Sequence, residues 1–481
     1  NNWMGMIRRL KILFLLFPLI LNSQETNKDR SSSFVIDTII HKVKRKQTLY
    51  TISKIYKISI QEIKSYNPKV KRNKLSRKME LIIPIKRNIK LEPIILEKKI
   101  DSINYLMPKI LNINLIDSAF NKKFIKIAIL APFKLNEIEL DSIENSKKYL
   151  KNLNLTSISL DFYSGAIMAF NKVKDYGLDL EVKILDTEND FVSIYNLLSQ
   201  NKFEDFDFVI GPLIPRNINQ VSRSIVKSKT PLISPLSSNE IEINQNVIQS
   251  MPSKLIQRKR MLKYIDSLID GEPDPCVMII YDNKNMDVKK QLMSRFPYAE
   301  LINTDETNGL VDPEITDSLL VSSKNNFVFL ESENLNVITS VSSLLNSQIS
   351  KERSISMMTT FRSDVYENEN ISFEHLGNLN FTYPSYYMPV YDNEKINLFN
   401  NLYLEEFGKR PNKIAIRGHD ITLDLILRVA NRRRFVKSIE IGETEYLQNK
   451  FNYLPKNKGY INRSIYLIKH EKLNIIKLND D

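Results

Sequence analysis

The sequence predicts an α/β protein in two parts: a small strand–helix–helix–strand unit, then a larger region of two lobes built on parallel sheets. Three observations predict this. Between about residues 41 and 85, two short β-type runs flank two amphipathic helical patterns. From Phe124 onward, apolar runs rich in Val, Ile and Phe alternate with helical patterns, as in parallel α/β sheets. The length of 481 residues allows two to four domains or lobes at roughly 100–200 residues each.

The N-terminus reads as a targeting segment. Arg8, Arg9 and Lys11 precede an apolar run, Ile12 to Leu21, interrupted by Pro18. That run is shorter than the roughly 20 residues a membrane-spanning helix needs, and Leu21-Asn22-Ser23 offers a small residue for cleavage. A signal peptide over 1–23 is expected, with a mature chain from near Gln24 in the periplasm or cell envelope. No Cys follows the run, which argues against a lipid anchor. No other long apolar run occurs, so no membrane span is expected after cleavage. Residues 24–40, with Ser31 to Ser33, read as a flexible approach.

The small unit, 41–85, begins with the strand candidate "IIHKV" (39–43). Thr48 is placed to cap a helix in which Leu49, Ile52, Ile55 and Tyr56 share a face. Ser59 and Glu62 form a capping-box pattern for a second helix carrying Ile60, Ile63 and Tyr66. Asn67-Pro68 stops that helix, because proline disfavours helical geometry in the residue before it. "ELIIPI" (80–85) closes the unit as a strand. Between His41 and Lys90, sixteen Lys or Arg face only Glu62 and Glu80. The whole chain carries +13, so the basic excess is local and implies a polyanionic surface as partner. A basic helical unit with aromatics also suits nucleic acid, but an exported chain seldom meets it, and no nucleic-acid partner is expected.

These residues resemble a LysM domain, through Val43, Thr48-Leu49, Ile52, Tyr56, Ile63, Asn67-Pro68, Leu75 and Leu81 to Pro84. Lys46-Gln47 stand where the family usually has Gly-Asp, and Lys78 where it has Gly. The resemblance implies a βααβ fold that binds N-acetylglucosamine-containing glycan such as peptidoglycan. It implies glycan contacts at Thr48, Leu49, Tyr50, Asn67 and Pro68.

A polar stretch, 86–123, with Pro93 and Pro108 reads as a linker. Strand candidates then follow at 124–133, 180–190, 206–213, 230–238, 275–283, 325–332 and 353–361. Between them, 164–176 places Ile167, Phe170 and Val173 on one helical face, and 219–228 and 257–269 behave likewise. The series resembles a type I periplasmic binding protein of the leucine-binding-protein-like family. The resemblance runs through "KIAILAPF", the helix with Gly165 and Ala169, "FVIGPL", "TPLISPLSS" and Gly418-His419-Asp420. It implies a bilobal fold over 124–481, the first lobe about 124–249 and 384–434, the second about 250–383 and 435–481. A ligand cleft between the lobes would use the loops of Gly211, Ser234, Ser237 and Ser238. Asp186 ends a strand, where it faces that cleft or caps a turn. Pro212, Pro215 and Pro235 remove backbone donors from these loops.

Catalytic chemistry finds little support. His41, His375, His419 and His470 are scattered, without a metal-pair spacing, a nucleophile elbow or a phosphate loop. His419 beside Asp420 suits a helix-start position better than a dyad. The lone cysteine, Cys276, excludes a disulfide framework and reads as core. No enzyme activity, metal or cofactor is expected. The resulting expectation is an exported, wall-associated binding or scaffold protein with a small ligand or envelope protein as second partner. The alternatives are a substrate-binding protein of an ABC importer for amino acids or similar solutes, and, less favoured, a cell-wall enzyme.

Overall fold

The computed structural model describes residues 36–86 and 113–478, apart from short gaps at 45–46, 57, 68–69, 71–74, 77–78, 139–140, 240, 271, 273, 305–309 and 391. The expected signal peptide, residues 24–35 and most of the expected linker lie outside the described residues. So do Lys46, Pro68 and Lys78, and the side chain of Glu62. The chain divides into two compact units, Asn1–Lys99 and Ile100–Asp481. Among the described residues no helix is long and apolar enough to cross a membrane.

The small unit has the predicted order. Strand β1 (Ile36–Lys42) starts earlier than its candidate and pairs antiparallel with β2 (Glu80–Lys86), Ile40 opposite Ile82. Helices Leu49–Tyr56 and Ile60–Tyr66 lie between them in sequence. Val43, Leu49, Ile52, Ile58, Ile60, Ile63, Val70, Leu81 and Ile83 are buried. At roughly 1.5–3 kcal/mol for each fully buried aliphatic side chain, these few residues carry most of the apolar stabilisation of so small a unit.

The large unit holds two seven-stranded, mostly parallel sheets, as the strand–helix alternation predicts. In the first, β3 (Phe124–Ala131), β4 (Asp179–Asp186), β5 (Phe208–Ile210), β6 (Leu232–Ser234) and β7 (Val247–Gln249) are parallel. In the second, β8 (Cys276–Tyr281), β9 (Glu300–Asn303), β10 (Asn325–Glu331), β11 (Ser354–Met358) and β12 (Thr382–Ser385) are parallel. A small ribbon, β13 (Thr444–Glu445) with β14 (Lys450–Phe451), stands apart from both sheets. The chain then returns to the first sheet through the hairpin β15 (Tyr453–Lys456) and β16 (Gly459–Asn462), with β16 parallel to β7. It ends in the second sheet as β17 (Tyr466–Glu471) and β18 (Asn474–Leu478), antiparallel to their neighbours.

The expected lobe boundary needs correction. The resemblance implies a second lobe that includes about 435–481, but 453–462 extend the first sheet, and Phe435, Ile441, Phe451 and Tyr453 pack into the first lobe's core. The end of the expected linker also belongs there. Leu115 is buried in that core, and the Ile113 amide donates to the Glu443 carbonyl over 2.8 Å.

Two long helices, Leu155–Lys174 and Lys413–Arg432, pack together in the first lobe. Gly165 and Gly418 permit it. A Cβ on Gly165 would lie 1.8 Å from the Ala415 carbonyl oxygen, and one on Gly418 would lie 2.1 Å from that of Phe162. The Gly-x-x-x-Ala and Gly-His-Asp patterns are two sides of one backbone-to-backbone contact.

Candidate functional site

In the small unit, Asn67 is a structural clasp. Its side-chain nitrogen donates to the Ile63 and Ile82 carbonyls at 2.7 Å, and its oxygen accepts from the Ile82 amide at 2.8 Å. The end of the second helix is thereby tied to β2. Leu49 is core at 2 % exposure. Thr48 and Thr51 cap each other's amides through their hydroxyls, at 3.0 and 3.2 Å. Thr48 is exposed and Tyr50 half-buried, so of the four described glycan candidates these two stay at the surface. Gln47 has a role sequence reasoning missed. Its side-chain oxygen accepts from the Lys44 amide (2.7 Å) and from His41 Nε2 (2.9 Å). His41 Nδ1 therefore accepts from Tyr56 Oη at 2.8 Å.

In the large unit a cleft of about 1360 Å³ is lined by both lobes. The first lobe supplies an apolar wall that includes Leu155, Ile158, Leu213, Ile214 and Leu236. The second supplies Arg362, Tyr366, Glu367, Tyr383 and His470. Lys413, which opens the long helix of the first lobe, bridges to Asp364 (2.9 Å) and Glu367 (2.8 Å) in a short 3-10 turn of the second. Glu367 also accepts from Arg362 (3.2 Å) and Tyr387 Oη (2.7 Å). Burial pulls the Glu367 carboxyl upward, but Lys413, Tyr387 and Arg362 outweigh it and hold it below the usual carboxylate range. Burial acts against the Lys413 ammonium, and Glu367 and Asp364 overcome it and raise its pKa.

Of the five cleft residues expected from sequence, Ser237 lines this cavity. Its hydroxyl accepts from the Asn239 amide at 3.1 Å. Asp186 takes the turn-capping alternative, accepting from the amides of Lys134 (3.1 Å), Leu135 (3.1 Å) and Glu188 (2.9 Å). Gly211 answers a packing need: at φ +93° it brings its Cα so close to β3 that a Cβ would lie 2.0 Å from the Leu130 carbonyl oxygen. Ser234 is buried, its carbonyl accepting from the Ser250 amide at 3.1 Å, and Ser238 is half-buried. Neither is among the residues that line the cleft.

His419 and Asp420 lie in the second turn of their helix, past its start. Asp420 accepts from the Gln448 and Asn449 amides at 3.0 Å, from Asn449 Nδ2 at 2.8 Å, and contacts His419 Nδ1 at 2.9 Å. The pair anchors a loop. Burial pushes the Cys276 thiol up to about 11, so it stays protonated and unreactive near neutrality. Arg362, Lys413 and His470, which shape the cleft, were not singled out as site residues. The partners of Lys413 and His470 lie 46 to 87 residues away in sequence, and although Arg362 meets Glu367 five residues on, no local pattern brings the three together.

A family model for the LysM domain matches residues 41–84. No curated protein matches the chain. Among solved structures, the chain is similar to a putative branched-chain amino acid ABC transporter from Rhodospirillum rubrum, at 10% identity and TM-score 0.49, covering 74% of this chain and 100% of that one. It is similar to an ABC-type branched-chain amino acid transporter from Rhodopseudomonas palustris, at 12% identity and TM-score 0.48, covering 73% and 96%. A leucine-binding protein from Thermotoga maritima follows at 13% identity and TM-score 0.41, covering 74% and 98%. Residues 41–84 are thus a LysM domain, and the large unit has the two-sheet, two-lobed α/β architecture that the type I binding-protein resemblance implies.

Proposed function

We propose that this chain is an exported envelope protein that binds without chemistry of its own. Its LysM domain docks on peptidoglycan, and the large unit takes a ligand or protein partner in its interlobe cleft. The observation that carries this reading is the LysM match over 41–84, a family of glycan-binding modules. The local basic excess supports it, because an anionic wall polymer attracts such a module in a salt-dependent way. The apolar N-terminal run supports export. A wall tether favours a stationary scaffold over a receptor that must diffuse to an importer.

Sedimentation with purified sacculi tests the proposal. The chain from residue 24 onward is expected to pellet with sacculi at low salt, and a version lacking 24–90 to stay in the supernatant. If both stay in the supernatant, wall tethering is rejected. Thermal unfolding with free amino acids and muropeptides addresses the large unit. A shift of several degrees with a micromolar free amino acid would identify a solute receptor instead of a scaffold.

A further inference from the structure

One histidine ties three parts of the LysM domain together. His41, in β1, is buried at 9 % exposure. Its Nε2 meets Gln47 Oε1 at 2.9 Å, and its Nδ1 meets Tyr56 Oη at 2.8 Å. Gln47 lies just before the helix Leu49–Tyr56, and Tyr56 ends it. The helix is thereby pinned to β1 at both of its ends. The His41 and Tyr56 rings also meet edge to face, with centroids 5.4 Å apart.

A single backbone amide sets the direction of every bond in this network. The Lys44 N–H can only donate, and it reaches Gln47 Oε1 at 2.7 Å. That fixes the side-chain amide with its oxygen toward Lys44, so His41 Nε2 must donate to the same oxygen. Both lone pairs of Oε1 are then used. His41 is left with Nδ1 as acceptor, and Tyr56 Oη donates to it. The Gln47 amide in turn donates to the Lys44 carbonyl at 3.2 Å. The turn from Lys44 to Gln47 is held by a backbone bond and by a side-chain bond that runs the opposite way.

The first residues after that turn are at the surface. Thr48 is exposed and Tyr50 half-buried, with Lys54 Nζ 5.3 Å from the Tyr50 ring centroid. A saccharide meets such a surface through its hydroxyls and an apolar ring face. A protein segment that is ordered only on contact loses affinity to the cost of ordering it, and one that is held beforehand does not.

We propose that Gln47 is a positioning residue for glycan docking: with His41 and Tyr56 it holds the segment from Gln47 to Tyr50 in the shape that an N-acetylglucosamine chain meets. It acts through Thr48 and Tyr50 and not on the sugar. This inference rests on the reading of the LysM domain as the part that docks on peptidoglycan.

Calorimetric titration of the full chain from residue 24 with the N-acetylglucosamine pentamer tests it. Gln47→Met keeps the length of the side chain and removes its oxygen, and its Kd is expected to rise about tenfold at unchanged stoichiometry. A merely structural role would lower the stoichiometry, as unfolded domains drop out, and leave the Kd of the others unchanged. Gln47→Glu keeps an oxygen acceptor for both donors and should bind within about twofold of wild type. Tyr56→Phe keeps the ring contact, loses the hydroxyl and should bind about threefold more weakly. Nitrogen-15 spectra of the four histidines should show His41 in the Nε2–H tautomer in wild type and a mixture of tautomers in Gln47→Met. A wild-type Kd for Gln47→Met, failure of Gln47→Glu to bind, or an Nδ1–H tautomer of His41 in wild type overturns the inference. Where Gln47→Met does not fold, Tyr56→Phe decides, and a wild-type Kd there overturns it. Sacculus sedimentation of the wild-type chain keeps the two readings apart. Pelleting beside a Kd that ignores Gln47 rejects the positioning role and leaves the tether standing, whereas no pelleting and no heat with the pentamer reject both.

Discussion

His470 is 3 % exposed and lies among Phe373, Phe381 and Tyr383. Burial, and secondarily the Arg362 charge, lower its pKa to about 4, so it is neutral at pH 7. Its contribution to stability is present above the unfolded value of about 6.5 and is lost as pH falls through about 4. Glu331, 2 % exposed, shows the opposite shift. Burial raises its carboxyl to about 7, against hydrogen bonds from the Thr360 amide (2.6 Å) and hydroxyl (2.8 Å). Its contribution is fully present below about 4.5 and is lost as pH rises through about 7. The two slopes oppose each other between about pH 4.5 and 6.5. His470→Phe should expose the Glu331 slope: unfolding free energy should fall by about 3 kcal/mol from pH 4 to 7. Urea titrations across that range check it, and an unchanged profile would reject the assignment. Arg428 and Asp424 form a different kind of buried pair, both at 0 % exposure. Arg428 also donates to the Ser438, Gly442 and Phe451 carbonyls at 3.0–3.1 Å. Arg428→Met leaves Asp424 buried without its cation and should cost about 3–5 kcal/mol in chemical denaturation.

At the scale of elements, the Lys413–Arg432 helix organises the first lobe. Arg417, Asp420, Asp424 and Arg428 recur at three- and four-residue intervals along one face and hold residues 435–452. The other side touches Leu155–Lys174 through the two glycines. Gly165→Ala forces backbone against backbone and should destabilise by about 3 kcal/mol. A thermal midpoint within a degree of wild type would show that the helices can slide apart freely. The long parallel strands were legible because each is a buried run of Val, Ile and Phe. β7, β9 and β12 are not legible: β5 and β6 are as short but sit in apolar runs, whereas these three are flanked by or contain polar residues, and β12 contains Pro384. The C-terminal hairpins have no sequence mark either: β15 to β18 carry only two or three apolar residues in a row among Lys, Asn, His and Glu, with no period-2 pattern.

At the scale of the whole large unit, three chain segments connect the lobes, after β7, after β12 and between β16 and β17. The 447–452 loop ties all three together. Asn449 Oδ1 accepts from Arg417, which also binds Ser250. The Met388 amide donates to the Gln448 carbonyl at 2.8 Å. Asn462 donates to both Ser250 and Lys450 carbonyls. Such a satisfied buried network resists hinge opening. Lys413 adds a partly exposed bridge across the cleft, with 35 % of its side chain accessible. Lys413→Met should therefore cost only about 1 kcal/mol. Because the Glu367 pKa is lowered, the bridge is intact above the unfolded carboxylate range of about 4.3 and is lost as pH falls below it. Small-angle scattering of the variant at neutral pH should match wild type. An expanded radius of gyration would show that Lys413, and not the crossover network, holds the lobes.

The sequence by itself determined the βααβ module, its basic charge and the parallel α/β character of the rest. Those follow from local periodicity, capping and composition, which nearby residues fix. It also marked Gly165, Gly211 and Gly418, though not their reasons, which are carbonyl oxygens about 2 Å from where a Cβ would sit. Only the tertiary structure decided that 453–462 join the first sheet, that Asp186 and Asn67 are structural clasps, and that Arg362, Lys413 and His470 shape the cleft. Each of these depends on partners brought together from distant parts of the chain, and contact energy between such partners leaves no periodic trace in the sequence.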